Sequence, residues 1–247
     1  MDSLTVSLVF SLITAVVSAV FAVMVLRRWH EKHRPHLLAW GIGLLLYFLG
    51  AVGQAVLAVT WSPLFYSLWY WAGAIAVAPW LGQGTIYLLV RRGNIARNIH
   101  MALILVSLMT LPWALFLTPL DSSAWYPGVN LVSITNEVMQ KGGVRGFVPV
   151  MNIWGTVALV GGALYSARLF RRKQILRNRM LGNWLIAAGA LFPAMGGALI
   201  RLGVPDLKYP GEMLGVILIF VGFLLATQAT DEPAKTSPAS AHAQQAR

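Results

Sequence analysis

The chain contains no cysteine. Disulfides, thiolate nucleophiles, iron–sulfur clusters and cysteine-ligated zinc are excluded at once. Charge is almost as scarce: 11% of the 247 residues are charged, where a soluble domain carries about a quarter. Only eight of these residues are acidic: Asp2, Glu31, Asp121, Glu137, Asp206, Glu212, Asp231 and Glu232. All of them fall in loops, at the ends of apolar stretches or in the C-terminal tail. A proton pump or cation-coupled carrier needs a carboxylate near mid-membrane, and none is visible. The chain has no G-x-S-x-G, H-E-x-x-H, Walker A or dinucleotide fingerprint. No cofactor and no metal is therefore expected, and a non-enzymatic role is favoured.

Apolar residues make up 57% of the chain. A soluble core cannot hide this much apolar surface, whereas lipid can. Runs of about 20 apolar residues read as membrane spans, and seven are expected: Leu4–Leu26, Leu37–Val59, Leu64–Val90, Ile99–Leu117, Phe147–Phe170, Leu181–Leu202 and Glu212–Ala229. The fold class expected is an all-α integral membrane protein, a seven-transmembrane-helix bundle over residues 1–230. A long loop, 118–146, separates the fourth and fifth spans. A disordered tail, 231–247, rich in Ala, Ser, Pro and Gln, follows. Met1–Leu4 lacks the basic region of a signal peptide, so the first apolar stretch reads as a retained span.

The net charge of +11 is distributed by loop. Arg27, Arg28, Lys32 and Arg34, then Arg91, Arg92 and Arg97, then Arg168, Arg171, Arg172, Lys173, Arg177 and Arg179 follow the first, third and fifth spans. The opposite loops carry only Lys141, Arg145, Arg201 and Lys208. The positive-inside rule places the N-terminus outside and the C-terminus in the cytoplasm. It also explains the basic balance without nucleic acid, which is not expected as a partner. Anionic lipid headgroups are the expected partners of the cytoplasmic loops. Trp61, Tyr66, Trp69, Trp113, Trp125, Tyr126 and Tyr209 would mark the outer interface. Short loops and the lack of any Asn-x-Ser/Thr site point to a bacterial plasma (inner) membrane.

A shift of 144 residues aligns Arg27-Arg28 with Arg171-Arg172, Leu37 with Leu181, Trp40 with Trp184, Ile42 with Ile186, Phe48 with Phe192 and Gly53 with Gly197. This pattern predicts a parallel three-plus-one-plus-three repeat in which the fourth span is the joiner. In topology the plan resembles the SWEET sugar carriers and PQ-loop proteins, and more distantly the microbial opsins. The first resemblance implies a facilitative carrier for a small neutral solute. The chain lacks a Pro-Gln pair, however, and its intramembrane prolines, Pro79 and Pro193, do not match between copies. The opsin chemistry needs a lysine in the seventh span, and Glu212–Ala229 has none. The layout is also similar to the seven-span input domains of bacterial sensor kinases. Without an output domain after the seventh span, a sensor of this kind would act through a separate protein partner.

Glycines recur at seven-residue spacing: Gly182, Gly189, Gly196 and Gly203; Gly155 and Gly162; Gly215 and Gly222; Gly43 and Gly50. That spacing keeps them on one helix face and lets backbones approach in lipid. The polar residues within spans are Gln54, Gln83, Thr85, Asn152, Thr156 and Asn183. Pro79 removes a helix hydrogen bond and, in an α-helical register, frees the carbonyl of Ile75. Gln54, Gln83 and Asn152, with Trp71, Trp80 and Trp154 as aromatic walls and Glu212 at the outer start of the seventh span, are the candidate ligand-binding residues. His30, His33 and His36 lie in a basic, proline-interrupted loop and read as solvated. The favoured function is a binding or sensing module for a small molecule or lipid, or a subunit of a membrane assembly. The neutral-solute carrier and an outer-face lipid enzyme using Glu137 and Glu212 are the alternatives.

Overall fold

A computed structural model describes residues 2–90, 93–173, 177–201 and 207–228. The structure is all-helical, with no strand among the described residues. Six helices are long and apolar enough to cross a membrane. They are α1 (Ser3–Lys32), α2 (Pro35–Val59), α3 (Pro63–Leu89), α4 (Ile95–Leu117), α5 (Gly143–Arg171) and, after one further helix, α7 (Lys208–Gln228). The further helix, α6 (Arg177–Arg201), has 25 residues and lies against α5 and α7. The expected tail, Gly203 and the Arg91-Arg92 pair fall outside the described residues.

Local chemistry sets the helix ends. His33 closes α1 in a left-handed conformation (φ 47°), its N–H donating to the Trp29 carbonyl at 2.7 Å. Pro35 then opens α2 at a position where its missing N–H costs nothing. Ser62 caps α3, accepting from the Phe65 N–H, with Pro63 in the first turn. Three apolar helices carry a π-helical stretch: Tyr70–Ala76 in α3, Trp113–Leu117 in α4 and Val157–Gly161 in α5. Two of these lie next to a proline, Pro79 and Pro112, which leaves a backbone acceptor free for other partners.

Several boundaries differ from the hydropathy reading. The α1 helix continues beyond Arg27-Arg28 to Lys32, and α4 begins at Ile95 rather than Ile99. More consequentially, α7 begins at Lys208, which moves Glu212 from the start of a helix to one turn inside it. Pro210 is tolerated there because first-turn N–H groups have no intrahelical partner.

Packing follows the small residues. A Cβ on Gly189 would fall 2.6 Å from the Gly215 carbonyl oxygen, and one on Gly222 would fall 2.6 Å from that of Gly182. The α6 and α7 backbones thus touch at two levels, seven residues apart, on the face the glycine spacing marks. Gly155 on α5 meets the Ala78–Pro79 backbone of α3 in the same way. The α4 helix packs mainly against α3, touches α5 where Trp113 meets Phe147, and leaves Met101, Leu105, Leu108 and Phe116 exposed.

Residues 118–146 are folded rather than loose. Leu120 pairs with Met139 in an isolated antiparallel bridge, and Thr135–Val138 forms a single helical turn. Gly142 and Gly143 turn the chain with φ 95° and 55°, angles that glycine adopts without a Cβ clash. The Asp121 carboxylate accepts the Ser123 N–H at 2.8 Å, which holds its carboxyl below the usual range. The segment docks on the C-terminal end of α2. Trp125 Nε1 donates to the Leu57 carbonyl and the Gly128 N–H to that of Ala58, each at 2.9 Å. Helix ends leave such carbonyls without intrahelical partners, so the segment supplies what α2 lacks. Beneath it, Tyr66, Trp69, Leu131, Val138, Met139 and Val144 form a buried cluster. Tyr66, Trp69 and Tyr209 are buried rather than lying at a lipid interface, because the folded segment and the helix walls cover them.

Candidate ligand cavity

A second apolar cluster fills the half of the molecule away from the folded segment: Phe21, Val25, Leu44, Leu159, Ile219 and Phe223. Between it and the segment lies a cavity of about 860 Å³. Residues of α1, α2, α3, α5, α6 and α7 line it, and Val132–Asn136 with Arg145 form its roof. The volume lies within the range of sites for small organic ligands.

The polar floor is a connected network. Ser11 on α1 donates to Gln54 Oε1 at 3.1 Å, and Gln54 Nε2 donates to Glu212 Oε2 at 2.8 Å. The other carboxylate oxygen of Glu212 lies 3.1 Å from Lys208 Nζ. Tyr47 Oη donates to the Glu212 backbone carbonyl at 2.9 Å. Gln54 and Lys208 are both buried, at 7% and 4% exposure. The i,i+4 spacing puts Lys208 and Glu212 on one face of α7. Gln54 links α2 to that face, so α1, α2 and α7 are tied by polar contacts.

Asn152 forms the α5 edge of the site. Its Nδ2 donates to the Ala74 carbonyl at 2.6 Å and to the Val148 carbonyl at 3.1 Å. Ala74 accepts here, rather than Ile75, because of the π-helical stretch. The Val77 N–H bonds to the Ala72 carbonyl, five residues back. In that register the partner of residue 79 is Ala74, and Pro79 has no N–H to give. Asn152 therefore takes the acceptor that the proline leaves open. Gly73, in the same stretch, lines the cavity, and a Cβ added to it would meet nothing within 4 Å.

The structure brings Gln54, Asn152 and Glu212 together on the cavity wall. It turns Trp71, Trp80 and Gln83 away, towards α4. Trp71 Nε1 donates to Thr110 Oγ1 at 3.0 Å, Trp80 Nε1 to Ser107 Oγ at 3.1 Å, and Gln83 Nε2 to the Ala96 carbonyl at 2.7 Å. These three bind α4 to α3. Trp154 is half-buried and is not a lining residue. Glu212 is the one carboxylate on the wall among the described residues, whereas Glu137 is exposed and does not line the cavity. The paired acid/base arrangement that a lipid-processing site would need is thus not assembled there.

Two lining cations, Lys208 and Arg145, were not among the sequence candidates. Arg145 is held by neutral acceptors: Nη1 donates to the Met139 carbonyl at 2.6 Å and Nη2 to Asn136 Oδ1 at 2.7 Å. A row of hydroxyls on α1, Ser7, Ser11, Thr14 and Ser18, is buried as well. Its i, i+4, i+7, i+11 spacing was the signal that marks an inward face.

The rim is apolar on one side. Ile153 and Val157 on α5 are 66% and 64% exposed, and Pro193 and Ala194 lie opposite on α6. Among the described residues, α5 and α6 pack closely along Gly162–Lys173 and part over Phe147–Thr156. The cavity thus has a lateral mouth between two helices whose exposed faces are apolar. No known protein family, curated protein or solved structure matches this chain.

Proposed function

We propose that the protein is a non-enzymatic membrane module that binds a small amphiphile or lipid, as a sensor or as a subunit of a larger assembly. One observation carries this reading: a cavity of about 860 Å³ with a polar floor at Gln54 and Glu212 and an apolar lateral mouth between α5 and α6. A polar floor suits a head group, and an apolar slot between helices suits a chain. Closure of the opposite half by the Phe21–Phe223 cluster favours binding over passage of a solute across the bilayer. Gly73→Phe is expected to fill the open space at Gly73 and abolish binding of myristoyl lysophospholipids, measured by native mass spectrometry from mild detergent. Wild-type-like lysophospholipid binding by a folded Gly73→Phe protein would count against the cavity as the site.

In this reading α6 is the seventh-span partner that completes an N-out, C-in bundle of a bacterial plasma membrane, with the basic loops cytoplasmic and the 118–146 segment outside. The parallel repeat is supported by the way α1, α2 and α3 pack in sequence, as do α5, α6 and α7, with α4 mainly on α3. The absence of cysteine makes the orientation simple to test. Ser123→Cys should react with a membrane-impermeant maleimide in intact cells, and Asn94→Cys only after permeabilisation; both positions are exposed. Labelling of Asn94→Cys in intact cells would reverse the topology.

A further inference from the structure

We infer that the cavity selects an anionic head group, a phosphate diester or carboxylate, at Arg145 and Lys208; the inference rests on the amphiphile-binding reading above. The charges at the wall do not cancel. Lys208 and Arg145 are cationic, and Glu212 is the one carboxylate facing them among the described residues. Glu212 is already committed on both oxygens, to Lys208 and to Gln54. Arg145 has no carboxylate partner there; its guanidinium is held by neutral acceptors, the carbonyl and amide oxygens of Thr135, Met139 and Asn136 and the Tyr70 hydroxyl. One positive charge is therefore uncompensated at the half-buried Arg145 on the cavity wall, where it attracts an anion.

Lys208 adds a second sign of an unfilled place. Its side chain is buried, and its ammonium carries three donors. The Glu212 contact is an ion pair without hydrogen-bond alignment, and the Nζ makes no hydrogen bond among the described residues. The ring faces of Tyr209 and Trp69, 4.5 and 5.9 Å from Nζ, cover other sides of the ammonium. Buried donors are nearly always paired, so an acceptor that enters the cavity meets a ready partner. The Asn136 side chain holds the Arg145 fork at the roof, and a carboxylate or phosphate oxygen matches the planar donors of a guanidinium. An anion between roof and floor leaves its chain to follow Ile153 and Val157 out between α5 and α6.

The test compares head groups on one chain. Myristoyl lysophosphatidylglycerol, myristoyl lysophosphatidylcholine and tetradecyl maltoside are titrated against the full-length protein in mild detergent by native mass spectrometry. The anionic lipid is expected to bind about tenfold more tightly than the other two, the scale of one charge-assisted hydrogen-bonded contact. Arg145→Gln should erase that preference, Arg145→Lys should keep part of it, and Glu212→Gln should strengthen it. Should Arg145→Gln not fold, the gain in Glu212→Gln carries the test. Equal binding of all three probes, or an unchanged preference in folded Arg145→Gln and Glu212→Gln, would overturn the anion assignment and leave amphiphile binding intact. Binding of none of them would remove both. Glycerophosphoglycerol, which has the head without the chain, separates the sources of the anion: weak competition assigns it to a lipid, and competition at equal concentration to a soluble compound.

Discussion

Gly189→Leu is expected to destabilise the purified protein by about 3 kcal/mol or more, at the upper end of what overpacking usually costs. The reason is that the neighbour is backbone. A Cβ there would fall 2.6 Å from the Gly215 carbonyl oxygen and 2.9 Å from the Ile219 nitrogen, and neither can rotate aside. The leucine forces α6 and α7 apart, and the separation spreads to the second contact at Gly182 and Gly222. In lipid no hydrophobic effect holds two helices together, so loss of close van der Waals contact is loss of the association itself. Leu191→Ala, at an exposed position on the same helix, serves as the comparison. Thermal unfolding in detergent, followed by tryptophan fluorescence, should show a large fall for the first and little for the second. Matching melting temperatures would sink the glycine seam as the basis of packing.

Lys208→Met is expected to cost about 2–4 kcal/mol, because it leaves Glu212 without its cation in a poorly solvated place. The value is set below the extreme because Glu212 retains 20% exposure, while Lys208 has 4%. Gln54 still donates to one oxygen, which offsets part of the loss. The double change Lys208→Met with Glu212→Leu should recover most of the stability, since replacing both members of a buried pair with apolar groups is often neutral. A double-mutant cycle read by thermal unfolding gives the coupling directly. If the two single changes simply add, the pair contributes nothing and the floor of the cavity is held by Gln54 and Tyr47 alone.

The helices were legible because lipid imposes one requirement that a sequence cannot hide: long apolar runs broken by short polar ones. The α6–α7 glycine face followed from small residues at seven-residue spacing, whereas the Ser62-Pro63 start of α3 did not show in the hydropathy, which placed that span at Leu64–Val90. The site was legible only in part. Gln54, Asn152 and Glu212 stood out as polar groups in apolar surroundings, and they meet at one cavity. Trp71, Trp80 and Gln83 stood out equally but face α4. Simple α-helical spacing could not separate the two sets. The wider turn over Tyr70–Ala76 rotates everything after it, and it also moves the orphaned carbonyl from Ile75 to Ala74. Lys208 and Arg145 were hidden for another reason. Both looked like ordinary loop cations until the helix start at Lys208 and the fold of the 118–146 segment brought them inward.

The docking of that segment on α2 has a consequence for how the protein is made. Trp125 and the Leu57 carbonyl are 68 residues apart in the chain, and Gly128 abuts the backbone of Leu4. The α1–α2 hairpin precedes the segment in the chain, so until the segment is made the Leu57 and Ala58 carbonyls lack the partners they have in the folded protein. Those partners emerge only after α3 and α4 have been made. Docking of the segment on α2 and completion of the cavity are therefore separate events, because the α5, α6 and α7 walls follow the segment in the chain.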